Sequence, residues 1–74
     1  MPPVRPLPWR EIVRKLNAAG FVEVDQRGSH IKLARETAAG RRVTVVPRHR
    51  EVGVGLLRAI IRQAGLTRDE FERL

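Results

Sequence analysis

Arg27-Gly28-Ser29-His30-Ile31-Lys32-Leu33 is the stretch of this sequence that decides the fold. Its glycine predicts a tight turn, because glycine takes backbone conformations that other residues avoid, and the residues that follow predict a strand. Side chains alternate between the two faces of a strand, so Ile31 and Leu33 are expected to face a core. His30 and Lys32 then share the opposite, solvent-exposed face. An imidazole beside a cation on an exposed strand is a natural phosphate-facing site.

Upstream of this turn the sequence predicts a helix and a first strand. A helical stripe begins after Pro8, and Gly20 is suited to close the helix. The apolar positions of the stripe are Trp9, Ile12, Val13, Leu16 and Ala19. Three basic residues are expected to lie away from it, namely Arg10, Arg14 and Lys15. Residues 21–26 then alternate, which predicts a strand with Val22 and Val24 facing the core.

Downstream, residues 29–35 and 42–46 predict two further strands, with a loop at 36–40 and Pro47 at the end. If the loop centres near residues 38 and 39, His30 lies opposite Pro47. Residues 54–64 predict a second helix, and Thr67 with Glu70 predicts a capping box at the start of a short third one. The apolar face of the second helix is expected to comprise Leu56, Leu57, Ile60, Ile61 and Ala64.

These elements predict an α+β fold, with a three-stranded antiparallel sheet whose helices pack on one face. Residues 1–7 hold three of the five prolines and are expected to form an extended arm, which leaves residues 8–74 as a single domain. The chain has no cysteine and only two histidines, so disulfides are excluded and a zinc site is not expected. No apolar run approaches a membrane span and no signal-peptide core is visible, so we expect a cytoplasmic protein without membrane contact.

The charge is concentrated in one third of the chain. Residues 27–50 hold seven Lys and Arg residues against one acid, Glu36, so they carry +6 of the net charge of +7. Thirteen of the fifteen basic residues are arginine, whose planar fork suits phosphate. This clustering favours a polyanion partner over a membrane surface, which would call for basic residues on an amphipathic helix. A solvated surface without a partner is the alternative.

Five sequence elements together resemble the HicA toxins, the small ribonuclease halves of bacterial and archaeal toxin–antitoxin pairs. They are Gly20-Phe21, Arg27-Gly28-Ser29-His30, Val45-Val46-Pro47-Arg48-His49, Gly55-Leu56-Leu57-Arg58-Ala59-Ile60 and Arg62-Gln63-Ala64-Gly65-Leu66-Thr67. The resemblance spans residues 8–74, and the spacing of the elements makes the set specific. One departure is Leu56, since a threonine commonly follows this glycine in the family.

The resemblance implies an α-β-β-β-α fold similar to a double-stranded-RNA-binding domain. It also implies metal-independent cleavage of messenger RNA, no cofactor, and a HicB-type antitoxin partner in a type II system. The histidine of the Gly-Ser-His element, which the family requires for toxicity, corresponds to His30.

The residues themselves allow roles to be assigned around RNA, which carries its own nucleophile in the 2′-OH. His30 is the candidate general base or acid, because histidine is the side chain best suited to proton transfer near neutral pH. Lys32 and Arg27 are candidate phosphate contacts, and Arg41, Arg42 and Arg48 are candidates for a wider RNA-binding surface. Gly28 supplies backbone freedom at the turn, and Ser29 a turn or strand-edge hydroxyl.

Three questions stay open at the level of the sequence. His49 is a possible second proton carrier if the third strand continues past Pro47, and otherwise a loop residue or phosphate donor. The chain could also be a non-catalytic RNA-binding module of the same fold. A toxin remnant that only binds its antitoxin is the third possibility.

Overall fold

The structure, a computed structural model, describes residues 4–74 and confirms the predicted order of elements. It contains α1 (Trp9–Ala18), β1 (Val22–Arg27), β2 (His30–Thr37), β3 (Gly40–Pro47), α2 (Val54–Gln63) and α3 (Arg68–Glu72). The three strands form one antiparallel sheet in the order β1-β2-β3. No helix within residues 4–74 has the length and apolar character needed to traverse a bilayer.

Both long helices end as the glycines predicted. Gly20 has a φ of +96°, and the amide of Phe21 donates to the carbonyl of Leu16 at 2.9 Å. Gly65, with a φ of +73°, closes α2 in the same way. This arrangement satisfies carbonyls that the helix leaves unpaired. It also turns the chain sharply, so Phe21 is buried against the helix that it has just left.

The pairing of β2 with β3 confirms the predicted register. His30 lies opposite Pro47, and the pairing continues without interruption to Thr37 and Gly40. Both strands are longer than predicted, because the loop consists only of residues 38 and 39. The Thr37 hydroxyl accepts from the amide of Ala39 at 3.2 Å and donates to the Gly40 carbonyl, so a side chain closes the turn.

The prediction that Val22 and Val24 face the core is wrong. Val24 has no partner on β2, because Glu23 pairs with Leu33 and Asp25 pairs with Lys32. This extra residue is a β-bulge, which breaks the period-two alternation on which the prediction relied. Val22 is 60% exposed and Val24 43% exposed. Both long helices contact β3, at the other edge of the sheet, and every residue of β1 is exposed.

One continuous core lies between the sheet and the helices. Its fully buried side chains include Ile12, Leu16, Phe21, Ile31, Leu33, Val46, Leu57, Ile60 and Phe71. Ile31 and Leu33 face inward as predicted. Leu56 does not belong to the predicted apolar face of α2, since it is 44% exposed.

Lys15 also differs from its predicted position, since it is buried rather than exposed. Its Nζ donates to the carbonyls of Phe71 at 3.1 Å and Leu74 at 3.2 Å, and lies 5.1 Å from the centroid of the Phe71 ring. An ammonium group there satisfies carbonyls at the C-terminal end of α3. The predicted capping box at the other end of α3 is present, with Thr67 and Glu70 each bonded to the other's amide.

The predicted N-terminal arm begins with residues 1–3, which lie outside the described residues. Val4 is buried in the core. Leu7 exchanges two backbone hydrogen bonds with Val52, at 3.2 and 2.7 Å. Residues 4–7 therefore run along the loop before α2 and cover part of the core.

Candidate functional site

The sheet face turned away from the helices, here called the outer face, carries the residues of interest in rows. Residues opposite each other in antiparallel strands project from the same face. The first row is Arg27, His30 and Pro47, the second is Asp25, Lys32 and Val45, and the third is Val22, Ala34 and Val43. Of these three rows, the two nearest the β1–β2 turn carry the charged groups and the third is apolar.

An open cavity of about 310 Å³ lies over the first two rows. It is lined by Asp25, Arg27, His30, Lys32 and Val45. All five residues are exposed. The cavity therefore combines one imidazole, two cations, one carboxylate and an apolar floor in a space that an extended polymer can reach.

The turn before β2 positions His30 in this cavity. Gly28 has a φ of +56°, and the two-residue turn that it forms with Ser29 lets Arg27 pair directly with His30. A positive φ at the first position is a feature of turns that match the twist of a hairpin. The imidazole forms no hydrogen bond to any residue in the described part of the chain, which leaves both ring nitrogens open to a ligand.

Asp25 belongs to the cavity, although it was not among the site residues predicted from the sequence. Its Oδ2 accepts from Arg27 Nε at 3.2 Å and its Oδ1 accepts from the amide of Gln26 at 2.8 Å. The Asp25 carboxylate therefore pairs with the Arg27 guanidinium at the edge of the cavity. The usable signal was the spacing, since Asp25 and Arg27 are two residues apart on one strand and so share a face.

Ser29, Arg48 and His49 lie at the end of the sheet beside the cavity. The amide of Arg48 donates to the Ser29 carbonyl at 2.6 Å, so the chain stays close to the turn after β3 has ended at Pro47. The His49 carbonyl accepts from the amide of Trp9 at 3.2 Å. The structure does not bring His49 into the lining of the cavity.

Arg41 and Arg42 are at the far end of the β2–β3 hairpin. Arg41 lies opposite Glu36, with 3.8 Å between its Nε and the carboxylate. Arg42 projects toward the helices, because a Cβ on Gly65 would come within 2.9 Å of its Nε. Neither arginine lines the cavity.

The side chains of the cavity are suited to act on a phosphodiester. They can transfer protons to or from it, and they can stabilise the negative charge of the transition state. A histidine can accept or donate a proton near neutral pH, while Lys and Arg stabilise a negatively charged transition state. Within residues 4–74, no group of three or more His, Cys, Asp or Glu side chains could hold a metal ion. Shifted pKa values occur outside the cavity: a hydrogen bond from Arg14 lowers the pKa of Glu11, and one from the Thr67 amide lowers the pKa of Glu70.

A comparison with known protein families finds a match over most of the chain. The model of a family described as the HicA toxin of bacterial toxin–antitoxin systems matches residues 9–66. A search of curated proteins gives no match. The matched span begins at the first residue of α1 and continues past the end of α2, so it includes the whole cavity.

Proposed function

The chain belongs to the HicA family of toxins of bacterial toxin–antitoxin systems, and we propose that it is a ribonuclease that cleaves messenger RNA in the cytoplasm without a metal ion. Residues 8–74 are the proposed nuclease domain. The observation that supports this most is the cavity, where His30, Lys32 and Arg27 meet on an exposed face. Family membership supports a role as a toxin, and the side chains that line the cavity support cleavage of RNA.

In the proposed reaction the nucleophile belongs to the substrate. A base removes the proton from the ribose 2′-OH, the 2′ oxygen forms a bond to phosphorus, and the bond from phosphorus to the 5′ oxygen breaks. The departing 5′ oxygen takes up a proton. The products are a 2′,3′-cyclic phosphate and a 5′-hydroxyl end, so no water, metal or cofactor is consumed in the cleavage step.

His30 is the proposed proton carrier, with Lys32 and Arg27 beside it to stabilise the additional negative charge on phosphorus. Gly28 and Ser29 form the turn that orients His30. Arg48 and His49 extend the proposed RNA contact beyond the cavity, and Arg41 and Arg42 add to the field that attracts RNA. A HicB-type antitoxin would silence the toxin by covering the outer face with an acidic surface.

The test is digestion of RNA by the purified protein in the presence of a chelator. We expect cleavage by the wild type, a decrease of at least about 100-fold in rate for His30→Ala, and fragments that end in a cyclic phosphate. A 2′-deoxy substitution at the cleaved nucleotide should block the reaction. Intact RNA with both proteins, but retained binding, would instead identify the non-catalytic RNA-binding module.

A further inference from the structure

We propose that Trp9, Arg10 and Arg48 form a second RNA-binding site, which holds a phosphate of the same strand that passes through the His30 cavity. This inference rests on the proposed function. Arg48 is already a candidate phosphate contact, whereas Trp9 and Arg10 come from the structure alone. The two guanidinium groups and the indole are called the tryptophan cluster below.

The cluster is defined by two short distances to one ring. The Cζ of Arg48 lies 5.0 Å from the centroid of Trp9, and the Cζ of Arg10 lies 5.2 Å from it. Both distances are within the range of about 6 Å for cation–π attraction. Trp9 is half-buried against the core, while both arginines are exposed. A half-buried aromatic ring therefore lies beside two exposed cations at the surface.

The two guanidinium groups retain their hydrogen-bonding capacity. In the described part of the chain, neither is in a salt bridge and neither donates a side-chain hydrogen bond, whereas each of the exposed arginines at 14, 27 and 41 lies beside a carboxylate. Two like charges beside one ring make this part of the surface strongly cationic, which favours an anion as its ligand. A phosphate matches the planar guanidinium fork and can accept hydrogen bonds from such a group.

Backbone contacts connect the cluster to the cavity. Pro47 lies directly opposite His30, and Arg48 follows it, with its amide bonded to the Ser29 carbonyl. The Cα atoms of His30 and Arg48 are therefore within about 10 Å of each other. On the other side, the Trp9 amide donates to the His49 carbonyl, which ties the start of α1 to the same segment. A single RNA strand can thus contact both places.

RNA is favoured over an acidic protein segment as the occupant. Single-stranded RNA offers phosphates for guanidinium groups and bases that stack on aromatic rings or on arginine planes, and the cluster presents both features. The cluster also continues the cationic cavity toward the start of α1. An acidic protein surface is the alternative occupant, and polyglutamate reproduces its chemistry.

The experiment measures RNA binding in a His30→Ala background, where RNA stays intact. A labelled single-stranded RNA is titrated at several salt concentrations with the parent and with a variant carrying Arg10→Gln and Arg48→Gln. The slope of log affinity against log salt should fall in magnitude by about 0.7 for each phosphate that the variant no longer neutralises. Arg58→Gln with Arg62→Gln, on the exposed side of α2, removes the same charge and should leave the slope nearly unchanged.

Trp9 is the only tryptophan in the chain, so its emission reports on the cluster directly. RNA should quench or shift this emission in the parent, and the effect should diminish in the double variant, while thermal unfolding shows that the fold is kept. Polyglutamate serves as the second probe. A response to polyglutamate but not to RNA would overturn the proposal and assign the cluster to an acidic partner.

The remaining outcomes separate this inference from the proposed function. RNA cleavage by the wild type, with an unchanged salt slope in the double variant, would overturn the second site and leave the ribonuclease intact. A reduced slope without cleavage would support the second site and refute the ribonuclease. Absence of RNA binding in the parent would overturn both.

Discussion

Gly28 controls the direction of His30 through its backbone alone. Its φ of +56° lies in the left-handed region, and a Cβ at this position would meet no atom within 4 Å. Substitution is therefore opposed by conformation and not by crowding. Because the two-residue turn brings Arg27 opposite His30, a relaxed turn would displace both the proposed proton carrier and the proposed phosphate contact.

Gly28→Ala is expected to lower the free energy of unfolding by about 1–2 kcal/mol, the cost of a left-handed conformation for a residue with a Cβ. Urea denaturation measures this change. Gly55→Ala is the matched control, since Gly55 lies within α2 with open space around it, and alanine there should stabilise by about 0.5–1 kcal/mol. Equal effects at the two positions would show that the turn does not need a positive φ.

Part of the site was predictable from the positions of single residues. His30 and Lys32 follow a turn glycine and alternate with two aliphatic residues, so their exposure follows from period two. Asp25 carries the same kind of signal through its spacing to Arg27. The pairing of Asp25 with Lys32, however, depends on the bulge at Val24. Nothing in the sequence distinguishes a valine in a bulge from a valine in a regular strand.

At the scale of elements, the two hairpins differ in how well the sequence predicts them. The β2–β3 register follows from a two-residue loop, because a loop centre fixes every facing pair. The β1–β2 pairing follows the same rule near the turn, but the bulge shifts it beyond Asp25. The prediction from helical spacing that Lys15 is exposed was also wrong. A long side chain can bury its stem and place its charge at the carbonyls that end α3.

Lys15→Met is expected to destabilise the fold, although methionine keeps an apolar stem of similar length. The change removes charged hydrogen bonds to the carbonyls of Phe71 and Leu74, each worth about 1.5–3 kcal/mol where buried. We expect a decrease of about 2 kcal/mol in the free energy of unfolding, measured with urea. Arg58→Met, at an exposed position of α2, should change it by less than about 0.5 kcal/mol.

The capping box of α3 predicts a dependence of stability on pH. The Thr67 amide donates to Glu70 at 2.8 Å, which lowers the pKa of this carboxyl below its ordinary value of 4.5. A lowered pKa in the folded state means that the contribution is complete above the unfolded pKa and is lost as pH falls through the folded pKa.

Glu70→Gln, which keeps a capping side chain but does not titrate, makes this contribution measurable. Wild type should be more stable than the variant at pH 7, and the difference should shrink as pH falls below 4.5. Thermal unfolding at a series of pH values records both proteins. A difference that is constant from pH 7 to pH 3 would mean that the carboxylate has no special role in the cap.

At the scale of the whole molecule, the distribution of charge matters more than any single pair. The molecule measures 30 × 29 × 18 Å, and residues 27–50 carry +6 of its net charge of +7. The Debye length is about 30 Å at 0.01 M salt and about 8 Å at 0.15 M. All basic residues therefore act on an approaching RNA at low salt, and only the nearest ones do so at physiological salt.

Arg41 tests this difference, because it lies opposite Glu36, six residues and about 20 Å along β2 from His30. Arg41→Gln should lower kcat/KM for RNA at 0.01 M salt, by slowing encounter, and should have less than about a twofold effect at 0.15 M. Lys32→Gln, inside the cavity, should lower kcat/KM at both salt concentrations because its charge acts directly on the bound phosphate. Steady-state cleavage at the two ionic strengths distinguishes the two behaviours. If Arg41→Gln were equally impaired at both, its guanidinium would have to contact bound RNA directly, and the RNA path would extend the full length of the β2–β3 hairpin.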